Sequence, residues 1–99
     1  MKSYSYNYRL LSRTARLLSS QTKLKILTTL LAQERCVCEI QEALKKEQSL
    51  TSHHLTDLVK AGWLKQRKGA DARQVFYSLT RKAERELKIF LQIGGGAKT

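Results

Sequence analysis

The spacing of the hydrophobic residues constrains the fold of this 99-residue chain most strongly, because it departs from helical periodicity in only one region. Up to Gly62, and again after Thr80, apolar residues recur three or four positions apart, which predicts amphipathic helices. Residues 63–67 and 74–79 are instead predicted as two strands joined by a loop over residues 68–73. The predicted order is helix, helix, helix, helix, strand, strand, helix. We therefore expect a mainly α-helical winged helix-turn-helix with one small β-hairpin.

Local signals set the predicted helix ends. Ser20 is expected to cap the second helix and Ser49 the fourth, and the last helix is expected to begin at Thr80 or Arg81. Gly62 is expected to end the fourth helix in a left-handed conformation. The expected apolar positions are Leu10, Leu11, Thr14, Leu17 and Leu18 in the first helix, Leu24, Leu27, Leu30 and Leu31 in the second, and Val37, Ile40 and Leu44 in the third.

The length and the ends of the chain favour a small cytoplasmic protein. One domain is expected over residues 1–93, with a flexible tail over residues 94–99, where three glycines stand together. The first ten residues contain no apolar segment typical of a secretory signal. Two cysteines two positions apart do not form the disulfide framework of a secreted domain. We therefore expect a cytoplasmic location with both thiols reduced.

The net charge of +11 points to a polyanionic partner, either nucleic acid or an anionic membrane surface. Only residues 34–59 hold more acidic than basic side chains, five against three, so the basic character lies on both sides of this segment. No stretch approaches the roughly 20 apolar residues that a membrane span needs. The first helix also fits a membrane-surface helix poorly, so nucleic acid is the favoured partner.

The predicted fourth helix presents a polar face suited to DNA. On a helical wheel Thr51, Leu55 and Leu58 fall on one side, with His54 at its margin. The opposite side carries no acid and no large aliphatic group, and its residues are Ser49, Ser52, His53, Thr56 and Lys60. Short polar side chains can approach base edges, and a lysine can contact a phosphate. The alternative is an ordinary solvated helix face.

The hairpin after this helix is basic and favours a DNA-binding interpretation. Lys65, Arg67, Lys68 and Arg73 lie in or beside its predicted loop, where a wing would follow the phosphate backbone. A solubilising turn is the alternative. Together with the charge of the whole chain, the hairpin predicts binding to double-stranded DNA.

Three segments of this chain form a recognisable set: SQTKLKIL at residues 20–27, CVCEI at residues 36–40, and SHHL at residues 52–55 followed by Leu58, Ala61 and Gly62. In their order and spacing they resemble the ArsR/SmtB family of bacterial and archaeal repressors. The resemblance implies a homodimer built from the first and last helices, an imperfect palindromic operator, and release of DNA by an inducer, often a metal or metalloid. By position it implies DNA reading by Gln48, Ser49, Ser52 and His53, with Gln48 just before the helix, and a wing with Arg67, Lys68 and Arg73.

Cys36 and Cys38 are the candidate sensing residues. Thiolates suit arsenite and soft divalent metals, although two sulfurs are too few for tetrahedral zinc or trigonal arsenite. Within the family, arsenite sensors commonly have a third cysteine where this chain has Gln41. Cadmium and lead sensors use cysteines of the N-terminal arm, and zinc sensors use histidines of the last helix. This chain has none of these additional ligands. Three hypotheses remain: a two-sulfur site completed by an external thiol or water, a redox pair, or two incidental cysteines. DNA binding itself should need no cofactor.

The two histidines of the fourth helix, and the aromatic and apolar residues near both ends of the chain, are interpreted as structural. His53 is expected to face outward and His54 toward the core, so we predict no metal site between them. Tyr4, Tyr6 and Tyr8 in the N-terminal arm, and Leu87, Phe90 and Leu91 in the last helix, are expected to pack in the dimer.

The sequence favours a DNA-binding regulator over an enzyme, since no catalytic constellation appears. The alternatives to an inducible repressor are a redox-responsive regulator, a regulator without an inducer, and an architectural protein that binds DNA without sequence preference.

Overall fold

The computed structural model describes residues 5–45, 48–71 and 73–93, and for residues 48–50 it describes the backbone only. Its helices are α1 (Tyr8–Leu18), α2 (Gln21–Thr29), α3 (Val37–Ala43), α4 (Gln48–Lys60) and α5 (Arg81–Ile93). Its strands are β1 (Arg35–Cys36), β2 (Leu64–Lys68) and β3 (Val75–Leu79). The predicted fold class, a mainly helical winged helix-turn-helix, is confirmed. Tyr4, the tail 94–99 and their predicted roles lie outside the described residues.

The helix ends follow the local signals with one exception. Ser20 caps α2 by accepting a hydrogen bond from the backbone of Lys23 at 3.2 Å, and Thr80 caps α5 by accepting one from Ala83 at 3.2 Å. Gly62 follows α4 with φ +80, in the left-handed region that favours glycine. The exception is the start of α4. Because this helix begins at Gln48, the predictions that Ser49 caps it and that Gln48 precedes it are wrong.

The three strands form one antiparallel sheet in the order β1-β3-β2. The hairpin β2–β3 was predicted, but β1 was not, because its two residues show no alternation that could be recognised. Arg35 pairs with Tyr77, and Cys36 pairs with Phe76. On the other side of β3, Arg67 also pairs with Phe76. The sheet therefore joins the start of α3 to the hairpin.

One hydrophobic core connects the helices to the base of the hairpin. It contains Ile26 and Leu27 from α2, Leu55 and Leu58 from α4, and Trp63, which is only 2% exposed. Leu87 of α5 is fully buried within this core, so the prediction that it packs in a dimer is wrong. The exposed apolar residues of α5 are Ile89 and Ile93 instead. No helix in the described ranges is both long and apolar enough to cross a membrane.

Candidate DNA-binding surface and cysteine site

Helix α4 buries one face and exposes the other, as its wheel predicted. Thr51, Leu55 and Leu58 are at most 1% exposed and fix the rotation of the helix about its axis. The exposed face carries Ser52, His53, Thr56 and Lys60. The side chains of the other two predicted contact residues, Gln48 and Ser49, lie outside the described part of the structure. The four described side chains therefore form one continuous polar surface.

The single acidic residue of α4 is held by α2. The Lys23 ammonium lies 3.3 Å from the Asp57 carboxylate and 3.0 Å from Nδ1 of His54. The hydrogen bond from Lys23 lowers the pKa of Asp57 below its usual value. His53 Nε2 lies 3.8 Å from the same carboxylate, while its side chain stays 76% exposed. Lys23 thus offsets the negative charge that would otherwise oppose DNA beside the exposed face.

The hairpin carries three of the predicted phosphate contacts, in different environments. Lys68 and Arg73 are exposed. Arg67 is instead bound to Glu34 by two hydrogen bonds, from Nε at 3.0 Å and from Nη2 at 2.6 Å. Its guanidinium also lies 4.6 Å from the centre of the Phe76 ring. Sequence reasoning missed Glu34, because a contact across 33 positions leaves no local pattern.

The Glu34–Arg67 pair has a clear electrostatic consequence. The hydrogen bonds from the Arg67 guanidinium, together with its charge, hold the pKa of the Glu34 carboxyl below its usual value of 4.5. Two parallel N–H···O bonds of this kind fix geometry more strongly than a single contact. The pair fixes the loop end of β2 to the segment that leads into β1.

Cys36 and Cys38 are brought together by the start of α3. Cys36 is the N-cap of this helix, with extended backbone angles φ −82 and ψ 165, so the two side chains do not diverge as they would within a regular helix. A hydrogen bond with the Cys38 thiol raises the pKa of Cys36 above its usual 9.0, and partial desolvation adds to this. Cys36 is half-buried and Cys38 is exposed. The geometry allows both sulfurs to act on one ligand.

Glu39 completes the start of α3. Its carboxylate accepts a hydrogen bond from the backbone N–H of Cys36 at 3.0 Å, and its own backbone N–H donates to the Cys36 side chain, forming a capping box. The hydrogen bond from Cys36 lowers the pKa of Glu39. Glu39 is therefore engaged in holding the backbone of the cysteine pair.

A cavity of about 230 Å³ opens beside the cysteines. Its walls come from both the start of α3 and the hairpin. The lining residues are Cys36, Val37, Cys38, Gln41, Arg73, Gln74 and Val75. The same cavity is therefore lined by both cysteines and by Arg73, one of the predicted phosphate contacts.

The described residues offer an incomplete ligand set for a metal. Across residues 5–45, 48–71 and 73–93 no group of three or more His, Cys, Asp or Glu side chains could hold an ion. The two sulfurs alone do not supply the four ligands of structural zinc. An ion held at Cys36 and Cys38 would need a further ligand from outside these residues.

Comparison with known proteins places this geometry in a known class. Residues 20–65 match the model of the arsR family of bacterial regulatory proteins. HlyU from Vibrio cholerae N16961 has a similar structure, with a TM-score of 0.76 and 26% identity, over 91% of this chain and 97% of that one. The transcriptional repressor BigR from Xylella fastidiosa gives a TM-score of 0.73 and 25% identity, over 87% of each chain.

A third structure supports the fold alone. The homodimeric winged helix-turn-helix DNA-binding domain Mb0332 from Mycobacterium bovis gives a TM-score of 0.78 at 19% identity, over the whole of this chain and 94% of that one. Helices α3 and α4, followed by the basic hairpin, thus define a winged helix-turn-helix DNA-binding regulator of transcription. The match to the arsR family model covers the segment from Ser20, before α2, into β2, and regulators of that family are often responsive to metals. The family and fold are those of regulators, which confirms that the protein is not an enzyme.

Proposed function

We propose that the protein is a homodimeric, sequence-specific repressor in which α4 reads the operator and the hairpin holds the DNA backbone. The observation that carries this proposal is the division of α4 into a fully buried face and a continuous exposed polar face. The proposed contact residues are Gln48, Ser49, Ser52, His53, Thr56, Lys60, Arg67, Lys68 and Arg73. We further propose that residues 1–93 form one domain, that residues 94–99 form a flexible tail, and that the protein acts in the cytoplasm.

The exposed face of α4 is suited to reading base edges in the major groove. Ser52, Thr56 and Lys60 follow one another at intervals of four residues, and His53 lies beside them. The serine and threonine are short enough for the helix to approach the bases, and Lys60 at the end of α4 can reach a phosphate. The fixed rotation of α4 keeps this face directed outward.

Exposed apolar residues on α1 and α5 support a dimer. Leu10 and Leu11 are 45% and 53% exposed, and Ile89 and Ile93 are 53% and 78% exposed. A second copy of the chain would remove these side chains from water. Mb0332, which has the same fold, is described as homodimeric. A twofold symmetric dimer would match a palindromic operator.

The cysteine pair is the proposed sensor. We propose that Cys36 and Cys38 hold arsenite or a soft divalent metal, with an additional ligand from an external thiol or water. Two features connect this site to the DNA contacts. Phe76 lies between Cys36 and Arg67 in one row across the sheet, and Arg73 lines the cavity that the thiols face. A change in the position of Cys36 would therefore be transmitted to the hairpin.

The test is fluorescence anisotropy of the reduced protein on DNA from its own promoter, with bulk competitor DNA present, titrated with arsenite. A sequence-specific repressor should prefer the promoter by about 10³ or more at physiological salt, and stoichiometric arsenite should release it. Equal affinity for promoter and bulk DNA would instead favour an architectural protein. Tight and selective binding that arsenite does not change would reject arsenite as the inducer and leave the repressor.

A redox-responsive regulator is the second candidate, and the hydrogen bond between the two thiols favours it. Oxidation by a peroxide would join the sulfurs in a disulfide, with two protons and two electrons passing from the thiols to the peroxide, whose O–O bond breaks to give two waters, or an alcohol and a water from an organic peroxide. The same DNA assay after peroxide treatment tests this candidate, with mass spectrometry to detect the loss of two hydrogens. Unchanged DNA binding by a protein shown to contain the disulfide would reject it.

A further inference from the structure

A basic cleft lies between α1 and the end of α4, beside the proposed base-reading face. Its volume is about 430 Å³. Arg13 and Arg16 contribute from α1, Lys23 from α2 and Lys60 from α4, and of the acidic residues that the structure describes only Asp57 lines the cleft. A smaller cavity beside it shares Arg13 and Lys60 and adds Lys82 from α5. Cations from four helices therefore converge on one side of the molecule.

Among the described residues, acidic side chains neutralise only part of the charge in this cleft. Asp57 is engaged by Lys23 at 3.3 Å. Within residues 5–45, 48–71 and 73–93, Arg13, Arg16 and Lys60 form no ion pair. Like charges that converge in a cleft repel one another and focus a positive potential on the space between them. Such a cleft favours an anion with several charges.

The position of Lys60 indicates which anion occupies the cleft. Lys60 belongs both to the cleft and to the exposed row of Ser52 and Thr56 on α4. A duplex seated against this row would bring its sugar-phosphate backbone to the mouth of the cleft. We propose that Arg13 and Arg16 of α1, together with Lys60, bind backbone phosphates of the operator and extend the DNA contact beyond α4 and the hairpin. This proposal rests on the proposed function.

The test measures how the dissociation constant for operator DNA depends on salt. Each phosphate contact contributes roughly 0.9 to the slope of log K against log salt concentration. The double variant Arg13→Gln/Arg16→Gln should therefore lower the slope by about 2 per subunit relative to the wild type. Arg13→Lys/Arg16→Lys should keep most of the slope, since lysine retains the charge.

The matched control is Arg81→Gln/Arg85→Gln, which removes the same charge from exposed positions on α5 outside this cleft. This control should change the slope by much less than the cleft variant. Equal changes in both would overturn the proposal, because they would reflect the overall charge of the protein. An unchanged slope in Arg13→Gln/Arg16→Gln would overturn it as well.

Two further measurements separate this proposal from other causes. Phosphate contacts carry no sequence information, so Arg13→Gln/Arg16→Gln should weaken operator and random duplex by the same factor. A loss confined to the operator would overturn the proposal.

Because α1 is also proposed to contact the partner subunit, Lys60→Gln on α4 provides a second variant, expected to lower the slope by about 1. If wild-type protein shows no preference for its promoter, the proposed repressor function fails, whereas the salt slopes still test the cleft.

Discussion

Glu34 and Arg67 are joined by two hydrogen bonds, of 3.0 Å from Nε and 2.6 Å from Nη2, although 33 positions separate them. Glu34 directly precedes β1, and Arg67 lies in β2, so the pair spans the sheet from its β1 side to its β2 side. Because the carboxylate neutralises the guanidinium, a DNA phosphate must compete with Glu34 for Arg67. The pair therefore restrains one of the proposed phosphate contacts.

Replacing Glu34 with glutamine should strengthen DNA binding. In Glu34→Gln the Arg67 charge is no longer neutralised, so we expect higher affinity for operator and random duplex alike and a steeper salt slope. Anisotropy titrations at several salt concentrations measure both quantities. Glu84→Gln is the matched control, since it removes one carboxylate that pairs with Lys88 at 3.1 Å on α5. An equal gain in both variants would show that net charge, rather than release of Arg67, causes the effect.

The same pair should make stability depend on pH. Because Arg67 depresses the folded-state pKa of Glu34 below its usual 4.5, the ionised carboxylate stabilises the folded protein above that pH. This contribution is lost as the pH falls through the depressed pKa. Denaturant unfolding should therefore show wild type more stable than Glu34→Gln at neutral pH, with the difference disappearing in acid. A difference that persists unchanged in acid would contradict the assignment. The pKa values of Glu39 and Asp57 are also lowered, but both carboxyls are present in wild type and in Glu34→Gln, so their contributions cancel in the stability difference.

Replacing Ser52 or Thr56 with alanine should weaken operator binding by about 1–3 kcal/mol and leave random-duplex binding nearly unchanged. The control is Thr28→Ala on α2. Thr28 and Thr56 are both exposed helical threonines whose hydroxyls donate to the carbonyl four residues earlier, at 2.9 Å and 3.0 Å. The two threonine substitutions therefore cost similar helix stability and differ only in their proposed contact with DNA. Equal losses on operator and random DNA would reject base reading by α4.

The sequence allowed the helices and the two faces of α4 to be predicted, because each depends on local spacing. Thr51, Leu55 and Leu58 are buried and Ser52 and Thr56 are exposed, as a helical wheel requires. The interface prediction for α5 failed at Leu87. Apolar spacing identifies a buried face, but it does not distinguish burial within a subunit from burial against a partner.

The contacts that link the cysteines to the hairpin could not be predicted. Strand β1 is only two residues long, and it forms because Arg35 and Cys36 find partners in Tyr77 and Phe76. These pairings join residues about 40 positions apart, and Glu34–Arg67 joins residues 33 positions apart. Residue types and local periodicity do not reveal pairings between residues so far apart in the sequence. The proximity of the two thiols follows from the same element, since Cys36 stands between β1 and α3.

Replacing Ile89 with lysine should dissociate the proposed dimer. Ile89 is 53% exposed on α5, and a charged side chain there would have to be desolvated in an apolar interface. Sedimentation equilibrium should show a monomer, and operator affinity should fall even though the added positive charge favours DNA. Gln33→Lys adds the same charge at an exposed position between α2 and β1 and should remain dimeric with full affinity. A dimeric Ile89→Lys protein would place the interface elsewhere.

Replacing Cys36 with serine should separate the structural role of this residue from sensing. A serine hydroxyl at the N-cap of α3 can accept the hydrogen bond from the backbone N–H of Glu39 at least as well as a thiol. The free energy of unfolding of Cys36→Ser should therefore equal that of the wild type or exceed it by no more than about 1 kcal/mol. Thermal or denaturant unfolding measures this difference. Cys36→Ala removes the cap and should be less stable by about that amount. DNA affinity should be unchanged in Cys36→Ser, since no contact residue is altered.

The response to arsenite should differ sharply between these proteins. Cys36→Ser and Cys38→Ser each retain one sulfur, and a single thiolate does not chelate a soft ion. We therefore expect both variants to stay bound to promoter DNA at arsenite concentrations that release the wild-type protein. If a Cys36→Ser protein with normal stability and DNA affinity were still released at the wild-type concentration, the cysteine pair would not be the sensor, and Cys36 would serve the fold alone as the cap of α3.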